Sequence, residues 1–236
     1  MHANHTAIAD RRAATLIGVL FIVGTVAFVL SAVVTAGAFA SGDPRAVLDA
    51  DPGVLGAGVL LVLVAGLALA MVPVVFWPIG RRYDETLAMG YVVLRGGLES
   101  MTYLVLAICW LVLIALGSQP DSASASTVVL EIAAAAGRVL AIPFALGALL
   151  FLLILHRARL VPRWLSGWGL VGAALYLAVP VLGVLGVGLD ALMGPLALQE
   201  MVLAAWLIAK GFAPAEAAPA ERAASSIAIP PAVVGA

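Results

Sequence analysis

Apolar and polar positions divide the chain into six long apolar runs parted by short polar breaks, at about 13–40, 54–79, 87–116, 127–155, 165–188 and 195–212. Each run reaches the roughly 18–20 residues that a helix needs to cross the hydrocarbon core of a bilayer. The pattern therefore predicts an all-α fold, a polytopic transmembrane helix bundle of six spans. Residues 1–12 form a polar N-terminal segment, and residues 214–236 are rich in alanine and proline without periodicity, which predicts a disordered tail.

The breaks carry turn chemistry. Ser41–Gly53 holds Asp43, Pro44, Arg45, Asp49, Asp51 and Pro52 and reads as a loop. Pro73 and Pro78 predict a kink or an early stop near the end of span two. Gly80–Thr86 is short, so spans two and three should be antiparallel neighbours. Gly117–Ser126 is polar and serine-rich, Pro143 lies inside span four, and His156–Trp164 is a basic turn closed by an aromatic at headgroup level. Pro180 interrupts span five, Asp190 marks a tight turn, and Pro195 suits the first turn of span six. Span one begins after Arg11-Arg12 and ends near Ala38-Phe39-Ala40, which imitates a secretory signal. Its apolar stretch is about twice the 7–15 residues of a signal core, so it reads as an uncleaved span.

Composition sharpens this picture. Charged residues make up 11% of the chain and apolar ones 64%, with a mean hydropathy of +1.16, where a soluble domain runs near a quarter charged. A net charge of −1 lacks the basic face of a nucleic-acid binder. Cys109 is the single cysteine and reads as a small buried hydrophobe, leaving no internal disulfide and no C-x-x-C site. His2, His5 and His156 all lie outside the spans, so haem ligation by two histidines or an H-E-x-x-H zinc site has nothing to build on, and no cofactor or metal is expected. No nucleophile elbow, P-loop or Ser-His-Asp set is present either.

Lysine and arginine fall unevenly between the two sides of a six-span chain. Arg11, Arg12, Arg81, Arg82, Arg157, Arg159, Arg163, Lys210 and Arg222 share one side, and Arg45 alone is on the other. By the positive-inside rule both termini are expected to face the cytoplasm.

Two further arginines, Arg95 and Arg138, lie within spans, where an ionised side chain costs about 2.5–3.5 kcal/mol on insertion scales. From a helical rise of 1.5 Å, Arg95 sits roughly 12 Å from the cytoplasmic edge, Glu99 roughly 18 Å from it, and Arg138 roughly 16 Å from the opposite edge. Arg95 and Glu99 are four apart and share a helix face, as do Glu131 and Arg138, seven apart. These depths predict a Glu99–Arg138 pair across spans three and four, with Glu131 and Glu200 towards the outside. Tyr91 and Gln199 are within reach of the same network. The candidate ligand- or ion-binding residues are therefore Arg95, Glu99, Glu131, Arg138, Glu200, Tyr91 and Gln199, and no catalytic residue is assigned. Small residues four apart, such as Gly96 with Ser100, Ala133 with Gly137 and Gly169 with Ala173, predict close helix packing. The basic turns could hold anionic lipid headgroups, but topology accounts for them. Trp164, Trp168 and Tyr176 read as interfacial anchors or packing.

Several stretches carry a family resemblance. They are Arg12-Ala13-Ala14 entering span one, Leu87–Tyr91 with Arg95 and Glu99, Leu160–Gly169, and Pro195–Ala204 continuing to Trp206 and Lys210-Gly211-Phe212. On these, over residues 12–212, the chain resembles bacterial membrane proteins grouped as domain of unknown function 4386. The resemblance implies a six-helix inner-membrane protein and supplies no activity, substrate or cofactor. It places Arg95, Glu99 and Glu200 inside motif stretches; Glu131 and Arg138 fall outside them.

Three readings stay open. The first is a small-ligand, ion or proton handling protein, a transporter or a sensor, in contact with the lipid bilayer and a small molecule, a lipid or protons. The second is a non-catalytic partner subunit of a homo- or hetero-oligomer whose polar network is structural. The third is a membrane-embedded enzyme. A water-accessible cavity at the charged cluster would favour the first.

Overall fold

Arg11 donates from its guanidinium to the carbonyls of Leu207, Ile208 and Ala209 at 3.0, 2.7 and 3.2 Å, joining the beginning of the helical chain to its end. The computed structural model describes residues 2–41, 43–117, 119, 122–183 and 189–213. Among these there is no strand. The long helices are α1 (His2–Phe39), α3 (Pro52–Gly80), α6 (Ala123–Arg157), α7 (Arg163–Gly183) and α8 (Gly194–Ala209). A further span runs through α4 (Glu85–Tyr91), a π-helix (Val92–Glu99) and α5 (Ser100–Leu116). Six helical segments among the described residues are long and apolar enough to cross a membrane.

Local chemistry sets the ends of these elements. Part of the expected loop before span two is a short helix, α2 (Pro44–Leu48). The Asp43 carboxylate accepts the Arg45 N–H at 2.9 Å and Pro44 opens the first turn, a combination that starts a helix even over five residues. Asp51 caps α3 through the Gly53 N–H at 2.7 Å, and Asp84 caps α4 through Leu87 N–H at 2.9 Å. The early stop expected at Pro73 or Pro78 does not occur, because α3 runs through both to Gly80. Pro73 is buried, and a methyl on Gly96 of the facing π-helix would lie 3.3 Å from its ring, so packing holds the backbone that the proline cannot bond. Helix α7 likewise continues past Pro180 to Gly183, while the last positions of the expected span five, 184–188, lie outside the described residues. The expected disordered tail, 214–236, also lies outside them.

The spans close into a ring. Each packs on the next in sequence, and α8 returns to α1. One core cluster joins Ile17 and Phe21 of α1, Phe76 of α3, Tyr91 of α4, Phe151 and Leu155 of α6, Leu165 of α7 and Leu203 of α8. Its centre is aromatic, with Tyr91 stacked on Phe151 at 4.8 Å and Phe76 edge-on to Phe151 at 4.8 Å. A second cluster surrounds Trp110 between α1, α3 and α5. Large apolar side chains such as Val33, Leu60, Leu67 and Leu104 remain exposed, as lipid-facing positions should.

The basic turns gather at one end of the ring. Asp10 pairs with Arg82 at 2.7 Å, Arg11 caps α8, and the Ala213 N–H donates to the Leu160 carbonyl at 2.8 Å. An arginine against the last carbonyls of α8 also meets the negative end of that helix's dipole.

Candidate functional site

The π-helix carries Arg95 and Glu99, the two charged residues in the interior of span three. Its wider turn follows from Gly96-Gly97, which weaken the α-helix locally, and such turns recur at functional sites. The Arg95 carbonyl accepts a bond from the Ser100 hydroxyl at 3.2 Å, five residues on. Gly147 of α6 lets that helix come close, since a methyl there would stand 3.3 Å from Arg95 Cβ.

Arg95 is the hub, with only 1% of its surface exposed. Its Nη2 lies 3.1 Å from Glu200 Oε1 of α8, and its Nε lies 3.5 Å from Glu99 Oε2. The guanidinium carbon is 4.7 Å from the Phe144 ring centroid and 5.4 Å from that of Phe21, within the range of cation–π attraction. The Tyr103 hydroxyl donates to Glu99 Oε1 at 3.4 Å. Gln199 Nε2 donates to the Leu165 carbonyl at 3.2 Å, which ties α8 to α7 beside the cluster. Several buried polar atoms accept or donate no hydrogen bond: Tyr91 Oη, Arg95 Nε and Nη1, Glu99 Oε2, Thr102 Oγ1 and Gln199 Oε1. Tyr91, Arg95, Gln199 and Glu200 also border a space of about 10 Å³, close to the volume of one water site.

Beside the cluster lies a cavity of about 330 Å³. Thr25, Arg95, Glu99, Thr102 and Glu200 supply its polar wall, and Phe28, Tyr103, Phe144 and Tyr176 its aromatic wall. Helix α6 contributes Ala133, Gly137 and Ala141, four apart on one face. A methyl on Gly137 would meet nothing within 4 Å, so the Ala133/Gly137 pair expected to draw two helices together instead leaves room for this space. The Gly169/Ala173 pair does pack closely, with both residues buried and Gly169 directly beneath Gln199.

The predicted Glu99–Arg138 pair is not formed. Arg138 is exposed and makes no ion pair among the described residues; Glu131 is exposed as well. Matching depth places two residues on one level of the membrane but says nothing of the direction each faces. Arg138 follows Gly137, so it points about 100° around the helix from the face that meets the cluster. It lines an adjoining cavity of about 560 Å³ that shares Gly137, Ala141 and Tyr176 with the first. Five of the seven candidates, Tyr91, Arg95, Glu99, Gln199 and Glu200, do come together. Tyr103 was missed, although it stands four residues after Glu99 and so shares its helix face. Phe21, Phe28, Thr102 and Phe144 carried no signal in the chain.

Away from the cluster, Arg159, Arg163, Trp206 and Lys210 border a cavity of about 420 Å³ at the basic end. His156 Nδ1 and Ser166 Oγ are 2.9 Å apart near the same end. Among the described residues, no three His, Cys, Asp or Glu side chains gather as metal ligands.

A family model described as Domain of unknown function (DUF4386) matches residues 16–211. No curated protein and no solved structure matches the chain.

Proposed function

From the premise that the chain belongs to the DUF4386 family, we propose that it is a bacterial inner-membrane protein that binds a small ligand or ion inside its helical ring, as a transporter or a sensor. Both termini face the cytoplasm in this reading, supported by nine basic residues on one side of the spans against one on the other. The observation that carries it is the cavity of about 330 Å³ beside Arg95, Glu99 and Glu200, within the length of chain that spans the membrane. A purely structural ion network gains nothing from an adjacent space, since packing around it would lower the cost of burial. Ligand sites, by contrast, combine apolar walls with a few convergent polar groups.

Water access tests this. In a Cys109→Ala background, Thr25→Cys sits on the wall of this cavity alone and Leu104→Cys on the outer surface. Thiolates form only where water reaches. Methyl methanethiosulfonate is therefore expected to modify Thr25→Cys in membrane vesicles and to leave Leu104→Cys unreacted. Protection of both would make the cavity dry and favour the partner-subunit reading, in which the network is scaffolding.

A further inference from the structure

The charges around the cavity do not balance. Two carboxylates, Glu99 from the π-helix and Glu200 from α8, face one guanidinium, Arg95. The remaining wall, from α1, α3, α5, α6 and α7, brings tyrosines but no further charged group, because Arg138 lines only the adjoining cavity. A surplus negative charge in a low-dielectric interior is costly unless a cation or a proton meets it. Arg95 gives its Nη2 to Glu200, holds its Nε 3.5 Å from Glu99 and has aromatic rings near its carbon, which leaves Nη1 as its one nitrogen with no carboxylate beside it.

We propose that this cavity binds a small organic monocation, a protonated amine with an apolar body, its ammonium group held by Glu99 and Glu200 and its body against the aromatic wall. This rests on the reading of the cavity as a ligand site. Glu99 is 3% exposed, and its Oε2 accepts no hydrogen bond even though Arg95 Nε stands 3.5 Å away. Thr102 Oγ1, on the same wall, is also without a partner. Two edge-on aromatic pairs, Phe28 with Tyr103 and Phe144 with Tyr176, flank the space with centroids 5.9 and 4.7 Å apart. Aromatic faces attract cations and shed carboxylates. At about 330 Å³ the cavity stands at the small end of ligand sites, which limits the occupant to a compact molecule.

The test compares two probes of similar size and opposite charge on the full chain in detergent, phenethylamine and 3-phenylpropionate, by titration calorimetry at neutral pH. Saturable binding of phenethylamine with no binding of 3-phenylpropionate is expected. Glu99→Gln leaves Arg95 its Glu200 partner, so the variant should fold and bind the amine about tenfold or more weakly, the loss of one charge-assisted hydrogen bond. Glu200→Gln is a second variant with the same expectation. Binding of the carboxylate in preference to the amine would make Arg95 the recognition group and overturn the proposal. Absence of amine binding, or amine binding indifferent to both substitutions, overturns it as well. Thiol modification at Thr25→Cys together with any of these failures would leave the ligand site standing and remove only the amine.

Discussion

Arg95 has two carboxylates within ion-pair range and Arg138 has none among the described residues, so the two intramembrane arginines should respond differently to loss of charge. Arg95→Met strands two buried carboxylates and is expected to lower stability by about 3–5 kcal/mol. Arg138→Met removes a charge from within a span and should leave stability unchanged or raise it, by at most the about 2.5–3.5 kcal/mol that the charge costs there. Thermal unfolding of both variants against the parent protein in one detergent measures this. Equal losses would draw Arg138 into the network after all. At this scale the chain was partly legible. A spacing of four puts Arg95 and Glu99 on one helix face, and the same spacing extends that face to Tyr103. The partnership of Arg95 with Glu200 was not legible, because it joins residues 105 positions apart whose meeting depends on how α8 lies against the third span.

At the scale of elements, the π-helix and the glycines do the positioning. Gly169 lies under the Gln199 side chain, and a methyl there would stand 2.8 Å from its Nε2 and 2.6 Å from Leu152 Cδ2. Gly169→Ala should therefore push Gln199 off the Leu165 carbonyl and cost about 1–3 kcal/mol, the usual range for overfilling a packed site. The cost is read from the same unfolding measurement, with Gly137→Ala as the comparison, since a methyl at Gly137 meets no neighbour. Equal behaviour of the two would contradict the packing described. Both glycines occur in small-residue pairs at the same spacing, so spacing alone could not tell a contact from a cavity wall. The helices capped by Asp51 and Asp84 begin at Pro52 and Glu85, ahead of the expected spans at 54 and 87, because those limits followed the apolar runs and not the caps. The π-turn was not: apolar residues on both sides of Gly96-Gly97 are compatible with an ordinary α-helix.

For the whole molecule, the contact of Arg11 with the carbonyls of 207–209 puts the first and last spans' ends together. Reporters fused to the two ends should then report the same compartment, which in the proposed orientation is the cytoplasm. A green fluorescent protein and alkaline phosphatase fusion pair at each terminus decides this, and opposite compartments would refute six spans. Span number, approximate span limits and the side expected for the basic turns all came from composition and order along the chain. They could, because the bilayer imposes a length and a polarity on each segment separately. Tertiary structure alone decided which intramembrane charges meet, and that a cavity opens beside them. Those outcomes depend on the rotation of each helix about its axis, set jointly by all its neighbours, and in a chain apolar on every face no local pattern records that rotation.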